Sequence, residues 1–429
     1  MKRTVAFKTL GCRLNQYETD ALVSEFDKAG YDLVDFNEKA DVVVVNTCTV
    51  TNQSDHKSRN TISRAVSKNK GAVVVVTGCM AENYKQQLEG EEKITYVVDN
   101  KRKSTILPLV EAHFSGEIIH PGKVAGDVFG FQAVKKSLHT RSAVKIQDGC
   151  DNYCTFCIIP TVRGRAVSRP VDQIIDNVKR TIDNGFKELV VTGVNIGRYE
   201  YEKLRFENVL ERILDAPGDF RVRISSLEPD GFGDGFVNLF DHPKLMPHLH
   251  LCLQSGSDKI LLRMRRMYSR KQFAKVVEAF RVKYPDFNFT TDIIVGFPGE
   301  TDEDFLGTLD AVKEFNFSHV HTFKYSVRRG TRAERMDGQV SEKLKNERSA
   351  LVRQLSEENK MRYYQSLIGK QQEVLVEKVT KTKASGYGDL YIPVEFAAKS
   401  IEKNTIQKIK LTGLAGVGEK LSLIGEHIF

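Results

Sequence analysis

A chain of 429 residues with 41% hydrophobic side chains can bury several ordinary cores, at about 100–200 residues per domain. Seven cysteines are too sparse for a secreted disulfide framework and fit a reduced, cytoplasmic setting. No apolar run reaches membrane-spanning length without charges, and the basic start Lys2-Arg3-Thr4-Val5-Ala6-Phe7 leads into no signal-type apolar core, so neither a membrane span nor a signal peptide is expected. The net charge of +8 points to a polyanionic partner.

Over residues 1–116, short apolar runs alternate with amphipathic stretches. Val5–Phe7, Asp41–Val45 and Ala72–Val76 read as buried parallel strands, with helices near Tyr17–Ala29, Ser54–Lys68 and Glu82–Leu88, which predicts a doubly wound α/β sheet. Cys12, Cys48 and Cys79 each fall just past a strand and before the next helix. Parallel strands put such ends on one edge of the sheet, where ligand sites collect, and nearby helix N-termini favour thiolates. Three cysteines used as small buried hydrophobes are the plainer alternative. Their repetition at one topological position favours a three-cysteine cluster.

Residues 117–138 contain Pro121 and several glycines with little periodicity, and read as a linker. From 139 to 368 the main feature is Gly149-Cys150-Asp151-Asn152-Tyr153-Cys154-Thr155-Phe156-Cys157, with three residues and then two between its cysteines. Thiolates at such spacing can hold several corners of an iron–sulfur cluster and leave one iron open. Zinc is the competing reading, although no histidine nearby completes a four-ligand set. Six apolar runs recur in strand–helix alternation, the cysteine loop following the first: Ala143–Gln147, Glu188–Thr192, Arg221–Ser225, His248–Leu253, Phe289–Val295 and His319–Tyr325. Six units are too few for an eight-stranded closed barrel, so an open, partial β/α barrel is expected. Cys252 reads as a buried structural cysteine and Asp292 as a structural loop carboxylate. His248/His250 and His319/His321 read as half-buried strand histidines, each pair on one strand face, with a metal site as the less common alternative.

Basic groups at His56-Lys57-Ser58-Arg59 with Arg64, Lys68 and Lys70, at Arg263–Lys271, and at Arg328, Arg329 and Arg332 could grip RNA phosphates, with ordinary solvated surface as the alternative. Arg163, Arg165 and Arg169 could instead balance cluster charge. A charged helix is expected over Ser341–Gln365. In residues 369–429 short strands at Glu373–Glu377, Leu390–Val394, Ile406–Leu411 and Lys420–Ile424 predict a small all-β barrel.

Cys150-x3-Cys154-x-Phe156-Cys157 resembles the signature of radical S-adenosylmethionine (SAM) enzymes. Leu10–Thr19, Asn46–Thr51 and Thr77-Gly78-Cys79 resemble the N-terminal domain of the methylthiotransferases. The resemblance covers nearly the whole chain. It implies two 4Fe-4S clusters, one on Cys150, Cys154 and Cys157 that binds SAM, and an auxiliary one on Cys12, Cys48 and Cys79. It further implies SAM contacts at Phe156, Asn195, Glu228, Gln254 and Gly296, and a C-terminal module of the RNA-binding TRAM type, although the module's mildly basic balance also fits a protein partner. In that family a deoxyadenosyl radical from SAM abstracts a substrate hydrogen, and the auxiliary cluster supplies a methylated sulfur. Gly11–Thr19 and Lys145–Asp151 are most similar to the branch acting on N6-threonylcarbamoyladenosine (t6A) at tRNA nucleotide 37. That implies a tRNA anticodon loop as substrate, a flavodoxin- or ferredoxin-like electron donor and a monomer. The isopentenyladenosine tRNA branch, the ribosomal-protein aspartate branch and a non-catalytic iron–sulfur protein are the alternatives. The chain departs from its relatives at Val327–Thr331, where they often carry proline.

Overall fold

The computed structural model describes residues 2–398 and 400–428; Met1, Lys399 and Phe429 lie outside the described residues. The chain forms two compact units. The first is Met1–Asn184 with the returning segments Thr192–Val194 and Ser326–Glu334; the second is Gly185–Val191, Asn195–Tyr325 and Arg335–Phe429.

In the first unit, valine runs become strands because branched side chains fit a pleated surface that is covered on both faces. β1 (Thr4–Thr9), β2 (Asp32–Val34), β3 (Val42–Thr47), β4 (Val73–Gly78) and β5 (Tyr96–Val98) form a parallel sheet in the order β2-β1-β3-β4-β5. Every residue of β3 and β4 is buried. Val43, Val45, Val74 and Val76 pack with Ile62, Met80, Leu88 and Val97, each buried aliphatic side chain contributing about 1.5–3 kcal/mol. Its helices include α1 (Arg13–Lys28), α2 (Asn52–Lys68) and the short α3 (Cys79–Asn83), and the helix expected near Glu82–Leu88 is split between α3 and Lys85–Glu89. Thr51 caps α2 by accepting the Ser54 N–H at 3.1 Å. Strand order reverses between β1 and β3, the switch point at which such sheets bind ligands. Segment 117–138 has only a single turn of 3₁₀ helix, yet Phe129, Phe131 and Val134 are buried and the Phe131 ring packs edge-on against Tyr17 at 5.9 Å.

In the second unit Arg221–Ile224 runs parallel to residues 188–191. A separate parallel sheet holds Ser226–Leu227, His248–Leu251, Asn288–Val295 and His319–Lys324 in that order. Asp292 is therefore a mid-strand residue and not a loop carboxylate. Residues 371–427 close into a five-stranded barrel, one strand more than expected. The additional strand, Lys383–Tyr387, has three small residues at its centre, and Gly386 is required there: a Cβ would sit 1.8 Å from the Leu375 carbonyl oxygen. Arg221 and Arg223 fix the barrel to its own unit. Both guanidinium groups pair with buried Glu188 and donate to the carbonyls of Glu373, Tyr387, Gly388 and Asp389 at 2.6–2.9 Å. The mixed α/β class, with parallel sheets and a terminal β barrel, is as expected.

Candidate iron–sulfur and SAM site

All six candidate cluster cysteines lie in the first unit. Cys12 caps α1, Cys48 follows β3 and Cys79 opens α3, so the three stand at the carboxyl edge of the sheet around its switch point. Gly11 (φ +97°) brings the first turn against the second: a Cβ there would lie 2.9 Å from the Cys48 sulfur. Two asparagines lace the turns together. Asn15 Nδ2 donates to the Leu10 and Thr47 carbonyls at 2.8 and 3.0 Å, and Asn46 Nδ2 donates to the Asn15 carbonyl at 3.0 Å. Ser58 clamps Cys48 from below, accepting its N–H at 3.2 Å and donating to its carbonyl at 2.9 Å.

Burial raises the thiol pKa values of Cys48 and Cys79, and the neighbouring cysteines raise them further. At Cys79 the positive charges of Arg163 and Lys103 pull the other way. Three thiols that repel one another's charge suit a cationic metal cluster, which restores the balance.

The loop of Cys150, Cys154 and Cys157 is equally constrained. Gly149 (φ +68°) could carry no side chain, since a Cβ would lie 2.0 Å from the Arg165 carbonyl oxygen. Tyr153 is held at φ +48°, a strained setting for a non-glycine residue. The Cys150 N–H donates to the Gly164 carbonyl at 3.1 Å, the Cys157 N–H to the Cys154 carbonyl at 2.9 Å, and the Ile159 N–H to the Cys157 sulfur at 3.4 Å. Ile158 and Val162, just past this loop, pack on Cys79. The returning segment supports it too, with the Ala333 N–H donating to the Thr155 carbonyl at 2.8 Å.

Behind both sets lies a buried ionic network that sequence reasoning missed. Glu18 meets Lys145 and Arg163 at 3.0 Å and also Lys103; Asp148 meets Lys145 at 2.6 Å and Arg163 at 3.0 Å. Arg163 also donates to Asn15 Oδ1 at 2.7 Å, joining the helix after the second cysteine loop to the turn behind Cys12. Burial opposes ionisation of Glu18, but Arg163, Lys103 and Lys145 outweigh it and hold the carboxyl well below its ordinary range. Of the three arginines expected to balance cluster charge, Arg163 faces Cys79, whereas exposed Arg165 pairs with Asp151 at 2.6 Å. Arg169 is buried beside Tyr17.

The second unit carries the remaining expected SAM residues. Asn195 is buried and precedes the turn Ile196–Arg198. Glu228 pairs with Arg266 at 2.9 Å. Gln254 sits at φ +67° with its side-chain oxygen buried and without a hydrogen-bond partner, which suits a donor from a ligand. Gly296 sits at φ +69°, its N–H bound to Glu300 at 2.6 Å.

The basic groups prove uneven. Arg328 is no surface cation: it is buried, with Nη1 donating to the Thr49 carbonyl at 2.7 Å and to Asp55 at 2.8 Å. Arg266 is engaged by Glu228, and Arg270 by Glu314 at 2.5 Å. His56, Lys57, Arg265, Arg329 and Arg332 are exposed.

Residues 4–99 match Uncharacterized protein family UPF0004, and residues 144–312 match the Radical SAM superfamily. The chain is 37% identical to a Thermotoga maritima protein named threonylcarbamoyladenosine tRNA methylthiotransferase MtaB, over 97% of this chain and 96% of that one. It is 37% identical to the Bacillus subtilis protein of the same name, over 95% and 93%. A Syntrophus aciditrophicus tRNA-2-methylthio-N(6)-dimethylallyladenosine synthase is 33% identical over 89% and 85%. Among solved structures, the radical SAM methyltransferase TsrM from Kitasatospora setae aligns with a TM-score of 0.54 at 16% identity, over 76% of this chain and 75% of that one, a likeness of fold alone.

Proposed function

The chain belongs to the radical SAM methylthiotransferases, and we propose that it converts t6A at position 37 of tRNA, beside the anticodon, to 2-methylthio-t6A. It is a transferase with SAM and 4Fe-4S clusters as cofactors. The observation that carries the substrate is the near full-length identity of 37% to two proteins named for t6A, against 33% to a dimethylallyladenosine enzyme.

When bound, the clusters and SAM supply the radical, the sulfur and the methyl group. The chain's own residues hold and shield them. Cys150, Cys154 and Cys157 hold one cluster and Cys12, Cys48 and Cys79 the other. Phe156, Asn195, Glu228, Gln254 and Gly296 contact SAM. Arg163 and Lys103 offset the negative charge gathered at Cys79. The division into residues 1–116, a connection at 117–138, a core at 139–368 and an RNA-binding module of TRAM type at 369–429 accompanies this reading. So do a cytoplasmic location, a monomeric state and an electron donor of flavodoxin or ferredoxin type. No helix among the described residues is long and apolar enough to cross a membrane.

The test is an anaerobic reaction of reconstituted protein with SAM, reductant and t6A-bearing tRNA, read by nucleoside mass spectrometry, beside a tube with isopentenyladenosine tRNA. A methylthio mass gain in the first tube alone is expected. Gain in the second alone would move the chain to the other tRNA branch.

A further inference from the structure

Three neighbouring strands of the second unit bring soft and hard ligands into one row. In the parallel register His250 stands opposite Thr290, two residues before Asp292, and Cys252 follows just past the end of the strand His248–Leu251. On the other side Asp292 stands opposite His321. One ligand atom from each of His250, Cys252 and Asp292 lies within 4.8 Å of the others, and the three are buried or half-buried. We propose that His250, Cys252 and Asp292 form a divalent-metal site of the zinc class, separate from both cysteine clusters, with His321 or solvent as the fourth ligand.

The chemistry of the set selects the ion. A thiolate and an imidazole disfavour calcium and magnesium, which take oxygen ligands, whereas zinc accepts sulfur, nitrogen and carboxylate oxygen together. Ligands around tetrahedral zinc lie about 3.3–3.8 Å apart, given bonds of about 2.0–2.3 Å. The widest separations within 4.8 Å therefore need to close by about 1.0–1.5 Å at most. His250 is already oriented as metal-bound histidines are: Nδ1 is 3.0 Å from the Thr290 hydroxyl, and Nε2 is 3.3 Å from Asp292 Oδ1. The His321 ring lies 5.6 Å from the His250 ring between centroids, and His319 stands 3.2 Å behind His321 Nδ1. His319, His321 and Phe323 line a cleft of about 480 Å³ against the helix Glu342–Ser366. The site would pin the edge strand His319–Lys324 to its neighbours.

The test uses full-length protein with both clusters reconstituted anaerobically, so that the six cluster cysteines are occupied. Zinc chloride is added, excess is removed by gel filtration, and zinc is read by mass spectrometry and X-ray absorption. About one zinc per chain is expected, with one sulfur neighbour at about 2.3 Å and nitrogen or oxygen neighbours at about 2.0–2.2 Å. Cys252→Ser should remove the sulfur neighbour, and His250→Gln should keep it while lowering retained zinc about tenfold or more, both with iron content unchanged. Loaded protein that retains no zinc overturns the site. So does zinc with three sulfur neighbours, or a sulfur neighbour that survives Cys252→Ser, since either places the ion elsewhere. The wild-type sulfur count decides the matter even if a variant fails to fold.

Discussion

Two buried ionic networks, one in each unit, are built from the same residue types to different ends. In the second unit Arg221 and Arg223 face Glu188 and Asp389, so charge is balanced, and the remaining guanidinium donors go to backbone carbonyls of the terminal barrel. In the first unit three cations, Lys103, Lys145 and Arg163, face two carboxylates, Glu18 and Asp148. One positive charge is left over beside Cys79. A balanced network mounts one part of a structure on another; an unbalanced one supplies potential to whatever binds next to it.

The contrast can be broken most severely at Glu18. Glu18→Gln leaves three buried cations with one carboxylate and should cost about 3–5 kcal/mol, read as the loss of the cooperative thermal transition near the wild-type temperature. Glu188→Gln should cost less, about 2–3 kcal/mol, because its two arginines keep their carbonyl acceptors. Next come the ligands themselves. Cys48→Ala and Cys154→Ala should each remove roughly half the iron, but only Cys154→Ala should abolish SAM cleavage to deoxyadenosine.

Arg163→Gln sharpens the contrast. It neutralises the first network and should shift the reduction potential of the Cys12/Cys48/Cys79 cluster to more negative values in an EPR-monitored titration. Arg221→Gln should leave that potential unchanged while lowering the melting temperature. The smallest effect lies in pH. Glu25, on the same helix as Glu18, is pushed up to about 7 by burial with too little counter-charge from Lys28. Its folded pKa exceeds the unfolded one, so the folded state binds the extra proton, and stability is lost as pH rises from about 4.5 to about 7. Glu25→Gln should flatten that part of the curve. Glu18 has the opposite sign, its stabilisation being lost as pH falls.

The strands were legible where the chain buries them on both faces, because Val42–Val45 and Val73–Val76 have no other plausible setting. The cysteine positions were legible for the same reason, since strand ends locate them. Asp32–Val34 and Tyr96–Val98 escaped as three-residue strands defined by their neighbours. Lys383–Tyr387 escaped because its central side chains are small and its fit depends on a close backbone approach. Burial of Glu18, Lys103 and Arg328 was invisible for a deeper reason: a lone charge in a sequence reads as solvated, and its partners lie far along the chain. Register was equally hidden, so a metal role possible for the two histidine pairs could not be tied to Cys252 or Asp292.

The bond from Arg328 to Asp55 spans 273 residues. At about 5–20 residues per second of synthesis, the loop after Cys48 waits roughly 15–50 s on the ribosome for the segment that clamps it. During that interval the thiol edge is without its clamp, open to premature oxidation or to a stray metal. The order of manufacture therefore favours cluster insertion once Ser326–Glu334 has returned to seal the edge.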